Sequence, residues 1–281
     1  MKTWKKIVLG VSLISLFLGG GLVAWGYSQG GLTDLQNKTI SEQDYVKKEV
    51  KDFNKIDIKS SSYNVLIKNG EVDKATLSYY QKTKNPIDTS VKDGQLTIND
   101  NNSELDSTSN KHINFFGLKD LVRLSTLNEE VRNKTIVITL PKKQTIDFLK
   151  VDLATGNLDL SNSTIKQADI NLNVGDLTFT KMIVSQLKAN LDVGSVDSDN
   201  TLFTNSDLSI AMGDYSGDNL IFNGHNKLDV TSGDIEIVLK DYTLNVQADS
   251  HSGEVDITNN LKISKDNTLT ITSDLGDITV E

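Results

Sequence analysis

Seven glycines recur at a nearly fixed interval along the carboxyl-terminal half of the chain. They are Gly156, Gly175, Gly194, Gly213, Gly233, Gly253 and Gly276, separated by 19, 19, 19, 20, 20 and 23 residues. A repeat of about twenty residues marks a solenoid, because one such unit is too small to bury an apolar face without neighbours. Most of the glycines are preceded by an alternating run: Ile170, Leu172 and Val174; Ala189, Leu191 and Val193; Leu208, Ile210 and Met212; Leu228 and Val230. Another run follows, as in Leu158 and Leu160, Leu177 and Phe179, Ile235 and Ile237, Val255 and Ile257, Ile278 and Val280. Period-two alternation is the pattern of strands with one buried face.

The unit therefore reads as a strand, a glycine corner, a second strand and a return loop. Windings of this kind stack with parallel strands about 4.8 Å apart, each pairing with the coil above and below. Glycine permits a positive φ at the corner. The residue after it (Asn157, Asp176, Ser195, Asp214, Asp234, Glu254, Asp277) is expected to point outward. An antiparallel sandwich is the competing all-β arrangement, but its hairpins have no reason to keep so regular a spacing. The fold class expected is an all-β, single-stranded β-solenoid of about 20-residue coils.

Upstream, "FNKIDIKSSSYNVLIKNG" (53–70) reads as a first coil with a serine corner, Ile56 and Ile58 before it and Val65 and Ile67 after it. "KATLSYYQKT", "GQLTIND" and "KTIVITLPKK" add strands, the last ended by Pro141. The solenoid is expected to span 53–281. Residues 28–52 read as a polar linker with a short helix around 41–50. Within 99–125 a polar loop precedes "INFFGLKDLVRLS", an apolar segment read as a cap over one end of the stack or as an exposed patch for a partner or lipid.

The amino terminus carries a different signal. Lys2, Lys5 and Lys6 precede a stretch from Ile7 to Trp25 with no charged residue. As a helix those residues span roughly 28 Å, close to the hydrocarbon thickness. Trp4 lies at one end and Trp25 and Tyr27 at the other, where interfacial rings sit. The lysines place residues 1–6 in the cytoplasm, 7–27 as one transmembrane helix and the rest outside the cell membrane. A cleaved signal peptide is the alternative, disfavoured because Ala24 is followed by the bulky Trp25.

Composition narrows the chemistry. The net charge of −9 and only two arginines, Arg123 and Arg132, argue against a nucleic-acid partner. With no cysteine there is no thiol nucleophile, thiolate metal site or disulfide. Asp176, Asp214, Asp234, Glu254 and Asp277 would line one corner in a row able to attract Ca²⁺. An acid at nearly every coil is instead what a solvated corner produces, whereas a catalytic site occurs once. His225 and His251 fall in loops, and pairing between adjacent coils is one reading of them. No catalytic, cofactor-binding or metal-ligating residue is assigned. A short cytoplasmic tail has no room for an output domain, so any signalling needs a membrane-protein partner. Gly19, Gly20 and Gly21 would let such a helix approach closely, the equal alternative being that they only make the span flexible.

The serial motifs "FNKIDIKSSSYNVLIK", "GQLTI", "TIVITLPKK", "SGDIEI", "SGEVDI" and "LGDITV" resemble the bacterial putative-adhesin family of β-solenoid domains, which includes the LiaG-type membrane-anchored proteins of Gram-positive envelope-stress operons. The resemblance covers most of 53–281 and implies no catalytic residues. It implies a non-catalytic binding or scaffold protein whose partners are the membrane, a membrane protein or a cell-envelope polymer. The alternative is a β-helical enzyme acting on polysaccharide.

Overall fold

Alternation of apolar and polar residues runs through almost every strand of the computed structural model, which describes residues 43–82, 86–100 and 134–281. All regular elements among the described residues are β-strands, and no helix there is long and apolar enough to cross a membrane. The segment read as an anchor (7–27) and residues 101–125 of the expected insert lie outside the described residues.

Strands ahead of each glycine stack into one parallel sheet. Thr164–Val174 pairs in register with Leu187–Val193, which pairs with Ser206–Met212, which pairs with His225–Ser232. Strands beyond the glycine form a second parallel sheet through Leu158–Ser161, Leu177–Thr180, Val196–Asp199, Tyr215–Asn223 and Ile235–Leu239. The return is more than a loop. Short strands at Ile183–Val184 and Leu202–Thr204, continued by Ile221 to Asn223, give each of these coils a third side. Between the second and third sides the chain turns through positive φ at Asn162, Lys181, Asn200 and Asn219, every 19 residues.

The windings do not stack in sequence order, contrary to expectation. Thr268–Leu275 inserts between His225–Ser232 and Asn245–Ser252. Ile278–Val280 likewise separates Ile235–Leu239 from Val255–Ile257. The cause is apolar content: Thr268–Leu275 turns the fully buried Leu269 and Ile271 inward, while Asn245–Ser252 offers only Val246, Ala248 and Ser250. The richer winding takes the place with neighbours on both sides. A similar exchange occurs at the other end, where Lys55–Ser60 lies between Gln95–Asn99 and Thr145–Leu153. Asn64–Gly70 lies between Thr135–Pro141 and Leu158–Ser161.

Antiparallel strands close that end. Asp88–Lys92 pairs with Gln95–Asn99, Thr76–Lys82 with Thr135–Pro141, and Gln43–Glu49 with Thr76–Lys82. The helix expected around 41–50 is therefore a strand. Tyr45 and Val46 favour extended backbone, the Tyr45 ring lies 4.9 Å from that of Tyr80, and Val50 donates to the Ala75 carbonyl at 2.8 Å.

Each inward position becomes a column. Ile58, Val151, Ile170, Ala189, Leu208, Leu228 and Ile271 follow one another in register, and all are buried. Phe179, Phe203 and Phe222 add an aromatic column, with centroids 5.3 and 5.8 Å apart. Three expected core residues leave the pattern: Val174 is 46 %, Val193 43 % and Met212 59 % exposed. Pairing jumps from Leu172↔Leu191 to Val174↔Val193, so the chain twists as it enters the glycine corner and presents two successive residues to solvent.

Candidate binding surface

The corner is held by its glycines. Those from Gly156 to Gly233, and Gly276, have φ between 142° and 150°. A Cβ on Gly194 would lie 2.0 Å from the Gly175 carbonyl oxygen, and the same close approach repeats up the column. Side chains are excluded there by the backbone of the neighbouring coil. The column also follows the stacking order, since Gly276 rests on Gly233 and Gly253 on Gly276.

The residues after the glycines do more than face water. Asp176 donates its N–H to Asn157 Oδ1 at 3.0 Å, Ser195 to Asp176 Oδ1 at 3.0 Å, and Asp214 to Ser195 Oγ at 3.4 Å. The series continues with Asp234 to Asp214 at 2.9 Å, Asp277 to Asp234 at 2.9 Å and Glu254 to Asp277 at 2.8 Å. It begins at Asn64 Oδ1, which accepts from Asn157 at 2.9 Å. A short side chain with an oxygen at γ or δ is required at each step, which explains Asn, Asp and Ser there. The acidic row expected from the sequence is real, but the carboxylates of Asp176, Asp214, Asp234 and Asp277 each accept a backbone N–H, and Glu254 ends the series as a donor. Among the described residues no three His, Cys, Asp or Glu side chains form a group that could hold a metal ion.

The two sheets carry different charge. Outside the pre-glycine sheet, Asp57, Lys150, Asp169, Lys188, Asp207 and Lys227 stack in register with alternating sign. Asp229 beside Lys227, followed by Asp207, holds the lysine above its ordinary value. Outside the post-glycine sheet the column is Asp159, Thr178, Asp197, Ser216, Glu236, Thr279 and Asp256. Acid and hydroxyl alternate without a break, and they do so only in the stacking order, since the sequence places Asp256 before Thr279. The seven strands of this face from Leu158 onward contain no lysine or arginine. Burial pushes the Asp159 carboxyl up, with Asp176 adding and the Thr178 hydrogen bond opposing. Burial and then Asp176 push Asp197 up.

The two histidines lie in strands rather than in the expected loops, and they are not brought together. His225 lies in the winding below Thr268–Leu275 and His251 in the winding above it. His225 Nδ1 instead meets Thr268 Oγ1 at 3.1 Å. The cavity among Leu187, Phe203, Tyr215 and Phe222 measures about 10 Å³, room for no more than a water. Among the described residues the post-glycine face forms an extended, periodic and acidic wall. The alternation on that wall was present in the sequence, at positions three residues beyond each glycine, but it emerges only once the coil order is known.

One family, described as Toastrack DUF4097, matches residues 53–281. No curated protein matches the chain. Among solved structures, a putative cell adhesion protein from Clostridium sporogenes is 16 % identical, covering 85 % of this chain and 99 % of that one, with a TM-score of 0.34. A putative adhesin from Bacteroides fragilis is also 16 % identical, covering 85 % and 97 %, with a TM-score of 0.38. A putative lipid binding protein from Parabacteroides distasonis is 12 % identical, covering 86 % and 98 %, with a TM-score of 0.36.

Proposed function

The chain belongs to the Toastrack DUF4097 family, and we propose that its solenoid is a non-catalytic binding or scaffold module held outside the cell membrane by residues 7–27. The observation that carries this reading is the acid–hydroxyl column from Asp159 to Asp256. Neighbouring coils lie about 4.8 Å apart, so the acids recur roughly every 9.6 Å along the stack. Alternation avoids placing like charges directly opposite one another. It leaves a ladder of acceptors and hydroxyls that can hydrogen-bond a long, hydroxyl-rich polymer such as an envelope glycan. Acids distributed one to every second coil supply binding at many equivalent places, whereas hydrolysis of a glycan needs one converging pair.

Membrane attachment is supported by Lys2, Lys5 and Lys6 ahead of the uncharged stretch from Ile7 to Trp25. In this reading the protein sits where an envelope-stress response could recruit it through a membrane-protein partner. The test is incubation of the full chain, in detergent, with purified cell-wall glycan. Retention without cleavage products is expected, and Asp159→Asn, Asp197→Asn and Glu236→Gln together should weaken retention at least tenfold. Cleavage products would establish the enzyme reading. Retention indifferent to the triple substitution would overturn the assignment of this face.

A further inference from the structure

The two ends of the stack differ. Antiparallel strands cover the amino-terminal end, and Val50, Phe53, Ala75, Leu77, Tyr79 and Ile87 are buried beneath and between them. At the other end, Asn245–Ser252 pairs with Thr268–Leu275 on one side only, and no described strand lies beyond it. Its inward residues Val246 and Ala248 are half-buried, Val255 of the same winding is 42 % exposed, and Ile263 in the following loop is 87 % exposed. Asn245 donates its N–H inward, to the Asn267 carbonyl at 3.0 Å. Strand alternation then turns the N–H and C=O of Val246, Ala248 and Ser250 toward the free edge. An open edge of this kind is a template for another strand.

We infer that this edge pairs with the same edge of a second copy, joining two pre-glycine sheets across a two-fold axis. Head-to-tail stacking is disfavoured, because the amino-terminal end is closed by antiparallel strands, and Lys47 and Lys48 stand exposed on the outermost of them. A copy's parallel edge finds no continuation there, so the assembly closes at two. Symmetric edge pairing is antiparallel. Centring it on Ser250 makes the two Ser250 residues a hydrogen-bonded pair and sets Ala248 opposite Ser252 of the other copy, whose carbonyl already accepts from the Gly276 N–H of its own chain at 3.2 Å. The same register sets Asp249 opposite His251 of the other copy, twice. Both side chains point outward and are exposed, so each interface position joins a carboxylate to an imidazole able to donate to it. A register centred on Asp249 would oppose the two carboxylates instead.

The experiment is light scattering of the full chain in detergent, across a concentration series, for wild type, Asp249→Arg, and Asp249→Arg combined with His251→Glu. Wild type is expected to be a dimer. The single substitution should weaken dimerisation at least tenfold, since it sets arginine against histidine. The double substitution restores opposite charges and should return the dissociation constant to within about threefold of wild type. A monomeric wild type would overturn the inference, whether the edge is free or covered by the chain's own remaining residues. A dimer equally stable in all three proteins would do the same, placing the contact elsewhere. Glycan retention by the acidic face is measured separately and does not depend on this outcome.

Discussion

The Asp234 N–H donates to the Asp214 carboxylate, 2.9 Å away in the adjoining coil. One oxygen thus satisfies a backbone donor at a corner where the regular sheet ladder is interrupted. Asp214→Ala removes the acceptor and should destabilise the solenoid by about 1–2 kcal/mol. Asp214→Asn keeps an oxygen in place, as Asn157 does for Asp176, and should be close to neutral. Urea unfolding of the two variants measures the difference, and equal losses would show that charge rather than hydrogen bonding matters at this position.

Gly194→Ala should be far more damaging than an ordinary glycine substitution. The new methyl would meet the Gly175 carbonyl carbon at 2.6 Å as well as its oxygen, at a φ of 149°. Strain and displacement of the neighbouring coil together should cost roughly 2–4 kcal/mol. Thermal unfolding followed by circular dichroism reads this directly, and a loss well under 1 kcal/mol would mean that the corners pack less closely than these distances require.

Lys181 gives a prediction of the opposite sign. It occupies the positive-φ corner taken by Asn162, Asn200 and Asn219 in other coils, with φ of 54°. A left-handed conformation disfavours a long side chain and is tolerated by asparagine. Lys181→Asn should therefore stabilise by up to about 1 kcal/mol, visible as a higher urea midpoint with an unchanged slope.

Two carboxyls set a pH dependence. Burial raises Asp159 and Asp197 above the ordinary value of 3.8. A raised folded value penalises the charged form, so their contribution to stability is full below the unfolded value and is lost as pH rises through the folded one. Asp147 behaves oppositely: its hydrogen bond from Lys166 holds it low, and its contribution is lost on acidification below 3.8. The pair Asp159→Asn and Asp197→Asn should raise the melting temperature at about pH 7, and this advantage should shrink toward about pH 4. An advantage independent of pH would point to packing instead.

Much of this architecture is legible in the chain itself, and the exceptions have physical causes. Spacing of Gly156 to Gly276 gives the windings, and alternation gives the inward columns, because both are local consequences of backbone geometry. The asparagine corner at Asn162, Asn200 and Asn219 has the same period and was open to the same reading, but Lys181 interrupts it. Val174, Val193 and Met212 follow the alternation on paper and break it in space, because the twist into the corner is set by the neighbouring coil. The 23-residue interval before Gly276 hinted at irregular stacking. Which winding lies outermost was not local information: it depends on the comparison of Leu269 and Ile271 with Val246 and Ala248 as core residues. The strand at Gln43–Glu49 likewise depends on pairing with its neighbour Thr76–Lys82, which adds to the extended preference of Tyr45 and Val46.

The order of the windings is the claim from which the glycine column, the acid–hydroxyl ladder and the open edge all follow. Asp229 is in register with Thr272, and Thr272 with Asp249, so Asp229 and Asp249 are two coils apart. The chain has no cysteine of its own, and directly opposed strand positions fall within the 4.4–6.8 Å or so between Cα atoms that a disulfide spans. The direct measurement is oxidative cross-linking of paired cysteines, detected by mass spectrometry. Asp229→Cys with Thr272→Cys should form an intramolecular disulfide in high yield, and Asp229→Cys with Asp249→Cys should form none. The reverse result would mean that the coils stack in sequence order, and the inserted position of Thr268–Leu275 would be wrong together with the ladder and the edge that depend on it.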